Sequence, residues 1–299
     1  MNTSGDADGI INRFRVTGQP NYIPQGDEEE IFRHAFETRI PLIIKGPTGC
    51  GKTRFIKHMA QRLDVPLVTV SCHEDLTAAD LVGRFLLKNE QTIWQDGPLT
   101  LAVRYGGICY LDEIVEARKD TTVIIHSLTD DRRILYIDKT GEVIRAHPEF
   151  MVVLSYNPGY QSIVKDLKHS TKQRFASLHF DHPPVAVEAR ILETETGLPA
   201  ETGARLAEMG AKIRELKGFG LEEGVSTRLL VYVGRLMGAG LAPVTACRTA
   251  ISRTLTEEPD VLAAIDSIID LYFGDMLAAG SGISPAVEER DGDGNAAGC

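Results

Sequence analysis

Short apolar runs alternate with helical patterns over the first part of the chain. Five of these runs are predicted to be strands, the first of them buried: PLIIKG, PLVTVSC, GGICYLDE, FMVVLSYN and ASLHFDHPP. The segment TRFIKHMAQRL, between the first two runs, has the pattern of an amphipathic helix. Strands that alternate with helices in this way predict an α/β fold with a parallel sheet.

The pattern changes after Pro183 and Pro184, which stop the fifth apolar run. Four helical patterns follow, separated by Gly and Pro: VAVEARILETETG, AETGARLAEMGAKIRELKG, STRLLVYVGRLMGAG and DVLAAIDSIIDLYFGDML. We therefore expect an α/β domain over residues 15–183 and a small helical domain over residues 184–278. The polar ends, 1–14 and the acidic 279–299, are predicted to be disordered.

Composition narrows the class of protein. With 43% hydrophobic and 25% charged residues among 299, the chain resembles a soluble globular protein. It has no signal peptide pattern and no apolar run long enough to cross a membrane, so we expect a cytoplasmic protein. Its five cysteines form no C-x-x-C pair, which predicts reduced thiols. The net charge of −10 argues against nucleic acid or anionic membranes as partners.

The octapeptide GPTGCGKT, after the first predicted strand, fits the phosphate-loop pattern G-x-x-x-x-G-K-[ST]. Its glycines let backbone N–H groups point at phosphate oxygens, and the following helix adds its positive end. Lys52 is expected to reach the β- and γ-phosphates of ATP, and Thr53 to bind Mg²⁺. A glycine-rich turn is the alternative, but the strand before and the helix after favour the phosphate loop. The predicted nucleotide-binding residues are Gly46, Pro47, Thr48, Gly49, Cys50, Gly51, Lys52 and Thr53.

Two acids end the strand ICYLDE, at the edge of the sheet where ligands bind in such folds. Asp112 is expected to hold Mg²⁺, directly or through water. Glu113 is expected to orient and deprotonate a water that attacks the γ-phosphate. An ordinary strand with a solvated acidic end is the alternative. The adjacent Glu indicates hydrolysis by water and disfavours transfer to a metabolite.

Two further polar residues are candidates for sensing the γ-phosphate. Asn157 ends the strand VVLSYNP, where its amide is placed to bond the γ-phosphate and the attacking water. Its alternative role is to form a turn before Pro158. Arg228 begins a helix of the second domain and is predicted to fold that domain onto the phosphates.

A third candidate is an arginine that acts between subunits. Arg174 lies at the end of a predicted helix, just before the fifth strand. An arginine on the γ-phosphate speeds hydrolysis by about 10³–10⁵-fold. We expect Arg174 to serve the nucleotide of a neighbouring subunit, which requires a ring. Arg132 and Arg133 are the alternatives, and for each of these arginines a plain surface position is the simpler interpretation.

This ordered set resembles the AAA+ ATPases, over roughly residues 15–275. Two predicted β-hairpins, at about 83–98 and 132–148, are typical of the MoxR branch. Within that branch the chain is similar to the CbbQ/NorQ/NirQ group, and most similar to its CbbQ members. The strings that carry this resemblance are KGPTGCGKTRF, DLVGRFLL, WQDGPLT, YLDEIVEARKDTTVIIHSLTDDRR, SYNPGYQS, LKHSTKQRF and EGVSTRLLVY.

The resemblance implies a Mg²⁺-dependent ATPase that forms a homo-oligomeric ring, a hexamer, and remodels another protein in the manner of a chaperone. It implies an adaptor chain with a von Willebrand A domain, similar to CbbO, and Rubisco as the client, freed of tight-binding sugar phosphates. Nitric oxide reductase is the alternative client. A P-loop kinase for a small metabolite and a DNA-dependent ATPase stay open as other classes.

The first hairpin has an apolar surface whose use the sequence leaves open. Its apolar side chains are Phe85, Leu86, Leu87 and Trp94. They either pack against the ring or contact the client. We expect nucleotide state to move both hairpins, because the strand that ends at Asn157 and the helical domain connect them to the γ-phosphate.

Overall fold

A computed structural model describes residues 9–158 and 167–279. In chain order its elements are α1 (Glu28–Thr38), β1 (Leu42–Lys45), α2 (Lys52–Arg62), β2 (Leu67–Ser71), α3 (Ala78–Val82), β3 (Gly83–Lys88), β4 (Gln91–Asp96), α4 (Pro98–Tyr105), β5 (Gly107–Asp112), α5 (Lys119–Ile124), β6 (Ile134–Ile137), β7 (Glu142–Arg145), β8 (Phe150–Tyr156), α6 (His169–Lys172), β9 (Ala176–His179), α7 (Val185–Thr196), α8 (Ala200–Arg214), α9 (Thr227–Gly238), α10 (Pro243–Cys247), α11 (Arg253–Leu255) and α12 (Pro259–Ala279).

Five parallel strands form the central sheet, in the order β2-β5-β8-β1-β9. All seven residues of β8 are buried, as expected for a strand covered by helices on both faces. Side chains alternate between two apolar clusters, so that Ile43 lies in one and its neighbours Leu42 and Ile44 lie in the other. The strands β5, β8 and β1 are adjacent, which brings the ends of the three predicted motifs together.

Two antiparallel hairpins are inserted in this α/β framework. β3 and β4 pair over residues 83–96, and β6 and β7 pair over residues 134–145, both inside the ranges predicted from the sequence. On the first hairpin, the rings of Phe85 and Trp94 pack edge to face at 5.1 Å. Trp94 also packs against the sheet core, whereas Phe85 and Leu87 are exposed.

The predicted disorder of residues 1–14 is too extensive. Residues 9–12 are helical, and the side chain of Ile11 is buried in the α/β core. Phe14 packs against the same core, and its carbonyl accepts a hydrogen bond from Leu67 at the start of β2, at 2.9 Å. Apolar side chains thus hold this segment on the domain. Residues 1–8 and 280–299 lie outside the described part of the chain.

Helices α7 to α12 form a second unit with its own apolar core, here called the lid domain. Its central polar contact is the buried Glu188 of α7, which accepts two hydrogen bonds of 2.7 Å from Arg214 of α8 and one of 2.6 Å from Thr227 of α9. This ion pair joins three lid helices at one point. Among the described residues, none of the helices has the length and apolarity required to cross a membrane.

Candidate nucleotide site

A cleft of about 910 Å³ lies between the carboxyl ends of the strands and the lid domain. The phosphate loop, Asp112, Glu113 and Arg228 line it, as do residues 16–23 and Tyr232 of α9. The volume suits a nucleotide. Sequence reasoning did not find these residues: the N-terminal segment carries no motif, and Tyr232, the last residue of EGVSTRLLVY, was given no role.

The phosphate loop connects β1 to α2. The Lys52 side chain is buried, and its Nζ donates to the carbonyls of Gly46 at 2.8 Å and Pro47 at 2.9 Å. Helix α2 begins at Lys52, so its positive N-terminal end lies at the loop. No acidic residue in its first turn offsets that positive charge. Cys50 is buried, and burial raises the pKa of its thiol. This thiol therefore stays protonated near neutral pH.

Two glycines of the loop are required by close packing as well as by phosphate access. A Cβ atom on Gly46 would lie 2.5 Å from the carbonyl oxygen of Phe180, just after β9. Gly49 has φ of +70°, and a Cβ there would lie 2.6 Å from the Cβ of Ser226 in the lid domain. The lid domain therefore sits directly on the phosphate loop, and Gly49 permits the contact.

Oxygen atoms suited to Mg²⁺ meet beside the loop. Thr53 Oγ1 lies 3.2 Å from Asp112 Oδ2. The other carboxylate oxygen, Oδ1, accepts a hydrogen bond from the Ser155 hydroxyl and lies 2.7 Å from the Tyr110 hydroxyl. Hydroxyl and carboxylate oxygens are the ligands that Mg²⁺ prefers, so the residues present fit this ion. The roles of Tyr110 and Ser155 were not found from the sequence.

Glu113 follows β5 in a left-handed conformation, with φ of 55°. This region is uncommon for a residue with a side chain, and such residues concentrate at functional sites. The backbone N–H of Glu113 donates to Ser155 Oγ at 3.3 Å, which supports the turn. Burial raises the pKa of the Glu113 carboxyl, although the Lys52 ammonium opposes this shift. The raised pKa makes this carboxylate a better proton acceptor than an exposed one.

Asn157 lies beside the phosphate loop and also contacts the lid domain. Its Nδ2 donates to Thr48 Oγ1 at 3.3 Å and to Glu223 Oε1 at 3.0 Å. The same Glu223 oxygen accepts from the backbone N–H of Thr48 at 3.1 Å. Glu223 comes from the loop between α8 and α9. Sequence reasoning missed it, because Glu223, the first residue of the string EGVSTRLLVY, has no chemistry of its own that indicates a contact with the phosphate loop.

The four candidate arginines lie in different surroundings. Arg228 is exposed at the start of α9 and lines the cleft. Arg174 does not line it; its Nη1 donates to the Ser170 carbonyl at 2.9 Å, and its buried Nε has no hydrogen-bond partner among the described residues. Arg133 donates to the Phe150 carbonyl at 2.7 Å and is part-buried, so it supports its own subunit. Arg132 is exposed and pairs with a neighbouring aspartate at 2.6 Å.

A second contact joins the lid domain to the α/β domain, and its residues also line the cleft. Arg54, directly after the phosphate loop, forms an ion pair with Glu195 of α7. Arg235 of α9 lies 3.5 Å from the same carboxylate, and Asn21 donates to it at 3.5 Å. These contacts lower the pKa of the Glu195 carboxyl, and the hydrogen bond from Arg54 is the largest cause of the shift. The pair holds helices of both domains around the cleft.

A parallel sheet with a phosphate loop after one strand, an Asp-Glu pair after its second neighbour and an α-helical lid define a P-loop protein of the AAA+ class. Residues 41–175 match the family model of the AAA domain of the dynein-related subfamily. Residues 188–272 match the model of the CbbQ/NirQ/NorQ C-terminal region.

Similar proteins cover nearly the whole chain. Protein CbbQ of Hydrogenophilus thermoluteolus is 56% identical over 88% of this chain and 99% of its own. NorQ of Paracoccus denitrificans is 55% identical, over 85% of this chain and 94% of its own. The denitrification regulatory protein NirQ of Pseudomonas aeruginosa is 54% identical, over 85% of this chain and 97% of its own. Among solved structures, RuvB of Thermotoga maritima has a TM-score of 0.49 at 14% identity, over 81% of this chain and 67% of its own.

The chain belongs to the CbbQ/NirQ/NorQ family of AAA+ ATPases. Nucleotide binding and ATPase activity are the properties of that class.

Proposed function

We propose that this protein hydrolyses ATP with Mg²⁺ in the cleft between the α/β domain and the lid domain. The observation that carries the proposal is that the phosphate loop, Asp112 and Glu113 line one cleft, and that Asn157 is hydrogen-bonded to Thr48 of the loop. Loop N–H groups and Lys52 bind the phosphates. Thr53 and Asp112 hold Mg²⁺, which neutralises phosphate charge when bound.

Each remaining residue of the site has a role that its position supports. Glu113 accepts the proton of the attacking water, since its carboxyl has a raised pKa beside the cleft. The Asn157 amide positions that water and the γ-phosphate. Arg228 lines the cleft from the lid domain and binds the γ-phosphate from that side. These groups share one purpose, which is to stabilise charge in the transition state.

We propose that Arg174 completes the site of the neighbouring subunit in a homo-oligomeric ring, most simply a hexamer. It does not line its own cleft, and its Nε has no partner among the described residues. Head-to-tail contacts of this kind close into rings. A positive charge brought to the γ-phosphate by a neighbour makes hydrolysis depend on assembly.

For the client we propose Rubisco, in the cytoplasm, reactivated together with an adaptor chain that carries a von Willebrand A domain. Support comes from the strings shared with CbbQ members and from the 56% identity to a CbbQ protein over 99% of its length. Nitric oxide reductase is the second candidate, because NorQ and NirQ proteins are 51–55% identical to this chain.

One experiment separates these clients and tests the chemistry. Purified protein, ATP, Mg²⁺ and an adaptor from the same genome are added to Rubisco inhibited by a tight-binding sugar phosphate, and carboxylation is followed. We expect activity to return with the wild type and not with Glu113→Gln, which should bind ATP without turnover. Released phosphate, with none transferred to a metabolite, distinguishes hydrolysis from a kinase reaction.

The contrary outcomes are specific to each part of the proposal. Rubisco that stays inhibited, with ATP hydrolysis intact, would redirect the client to nitric oxide reductase, assayed in the same way. Hydrolysis by Glu113→Gln at the wild-type rate would remove the role assigned to this carboxylate. Turnover that rises with added DNA and falls steeply with salt would favour a DNA-dependent ATPase.

A further inference from the structure

We propose that Glu223 weakens the binding of ATP relative to ADP. Its carboxylate occupies the two hydrogen-bond donors to which the γ-phosphate of ATP would bind. This inference rests on the proposed function, since it needs ATP to bind in the cleft. It adds a residue from the lid domain to the site. No sequence motif assigns it.

The donors are the reason for this assignment. Glu223 Oε1 accepts from the Thr48 backbone N–H at 3.1 Å and from the Asn157 amide at 3.0 Å. The first donor belongs to the phosphate loop, whose N–H groups bind phosphate oxygens. The second is the amide proposed to bind the γ-phosphate. A carboxylate oxygen is anionic and accepts hydrogen bonds as a phosphate oxygen does.

Competition follows from charge. A γ-phosphate that accepts hydrogen bonds from Thr48 and Asn157 would need the position that the Glu223 carboxylate occupies. Like charges at such short range repel strongly in a part-buried site. Glu223 must therefore leave when ATP binds. ADP has no γ-phosphate, so the carboxylate keeps both bonds when ADP is bound.

The loop that carries Glu223 is attached to the lid helices just beyond it. Arg214 of α8 donates from Nε to the Val225 carbonyl at 2.8 Å. Ser226 packs against Gly49, and its hydroxyl accepts from the N–H of Leu229 in the first turn of α9. Displacement of Glu223 is therefore transmitted to α9, the helix that carries Arg228.

Glu223 and Arg228 carry opposite charges and lie five residues apart, so the γ-phosphate of ATP repels the first and attracts the second. Glu223 accepts hydrogen bonds from the two donors, and Arg228 lines the cleft. When ATP enters, the acid is expelled and the arginine is attracted, so the start of α9 shifts toward the phosphates. A ligand shifts a conformation only through a difference in contacts, and this exchange supplies one.

Binding constants test the inference directly. Dissociation constants for ADP and for a non-hydrolysable ATP analogue are measured with the full chain and Mg²⁺, for the wild type, Glu223→Ala and Glu223→Gln. We expect Glu223→Ala to raise the preference for the ATP analogue over ADP about tenfold, the cost of displacing a charged hydrogen-bond acceptor. Glu223→Gln keeps a neutral acceptor and should raise it less. The matched control is Glu222→Ala, because Glu222 is exposed and adjacent.

Hydrogen exchange supplies a second measurement that does not depend on affinity. In the wild type, peptides over residues 217–226 should exchange faster with the ATP analogue than with ADP. In Glu223→Ala, exchange should be fast with both nucleotides. Results for Glu222→Ala should match the wild type.

The possible failures are distinguishable. If the wild type binds both nucleotides but Glu223→Ala leaves their ratio unchanged, the role of Glu223 is refuted and the ATPase proposal stands. An equal change of this ratio in Glu222→Ala would show that the effect comes from surface charge in general, and would also refute the role of Glu223. Absence of nucleotide binding by the wild type would refute the proposed function and this inference with it.

Discussion

At the scale of single residues, the orientation of Asp112 depends on two buried hydroxyl groups. Tyr110 and Ser155 are fully buried, and the Tyr110 hydroxyl lies 2.7 Å from Asp112 Oδ1 and 2.9 Å from Ser155 Oγ. With Oδ1 bonded in this way, Oδ2 is directed at Thr53. Residues that orient metal ligands typically change affinity 10–100-fold when replaced.

Tyr110→Phe tests this orientation. Removal of the hydroxyl should raise the Mg²⁺ concentration needed for half-maximal binding of a fluorescent ATP analogue about tenfold. Weak binding without Mg²⁺ should be unchanged, since the phosphate loop is intact. Tyr136→Phe is the control, because Tyr136 is exposed on β6. An unaltered Mg²⁺ dependence would show that Tyr110 serves only the packing of the sheet.

The sequence predicted Asp112 as a metal ligand from its place at a strand end, a local signal. It did not predict Tyr110 or Ser155 as its supports. Each looks like one more residue of a buried strand, and only the pairing of β5 with β8 brings their hydroxyl groups to the same carboxylate. Contacts between strands far apart in the chain leave no trace in either strand alone.

At the scale of elements, three helices of the lid domain depend on the Glu188 carboxylate. It is completely buried and bonded to Arg214 and Thr227. A buried charge that loses its partner is far more costly than an exposed one. The same Arg214 holds the loop that carries Glu223, so this ion pair connects lid stability to the cleft.

Glu188→Ala should lower the free energy of unfolding by about 3–5 kcal/mol, because it leaves the part-buried Arg214 guanidinium without its acid partner. Urea denaturation followed by circular dichroism measures the change. Glu193→Ala, an exposed position on the same helix, should change stability by less than about 0.5 kcal/mol. Equal effects of the two substitutions would contradict a special role for the buried pair.

The elements themselves were largely predictable, for a physical reason. The inner strands β5, β8 and β1 are buried on both faces, so each one reads as a continuous apolar run. The lid helices have apolar faces separated by Gly and Pro. The helical residues 9–12 were missed, because a single buried Ile11 in a polar segment gives no periodic pattern.

At the scale of the whole molecule, Arg174 lies away from the nucleotide cleft of its own chain. Because Arg174 follows α6 and does not line this cleft, its proposed role places the guanidinium at the γ-phosphate of another subunit. Activity should therefore depend on assembly. This dependence can be measured by mixing subunits that lack Arg174 with subunits that lack the Glu113 carboxylate.

Arg174→Ala and Glu113→Gln should each abolish most ATP turnover, by about 10³-fold or more for the arginine. Rings assembled from equal amounts of both should recover up to about a quarter of wild-type turnover, because a quarter of the interfaces combine an intact Glu113 with an intact Arg174. Phosphate release from co-expressed rings is the measurement.

Arg132→Ala is the control for this experiment, since Arg132 is an exposed arginine outside the cleft. It should keep wild-type turnover alone and in mixtures. A chain that stays monomeric with ATP, and that hydrolyses at full rate as Arg174→Ala, would contradict the shared site.

The sequence by itself determined the class of protein, the order of strands along the chain and the phosphate-loop, Asp-Glu and sensor motifs, because these depend on short-range chemistry. Only the tertiary structure brought Glu223 to Thr48, Tyr110 to Asp112 and Ser226 to Gly49. These contacts join residues on different elements, and their energies arise only after the sheet and the lid domain have packed. Apart from Arg228, the lid side of the cleft was therefore decided by the folded structure and not by the motifs.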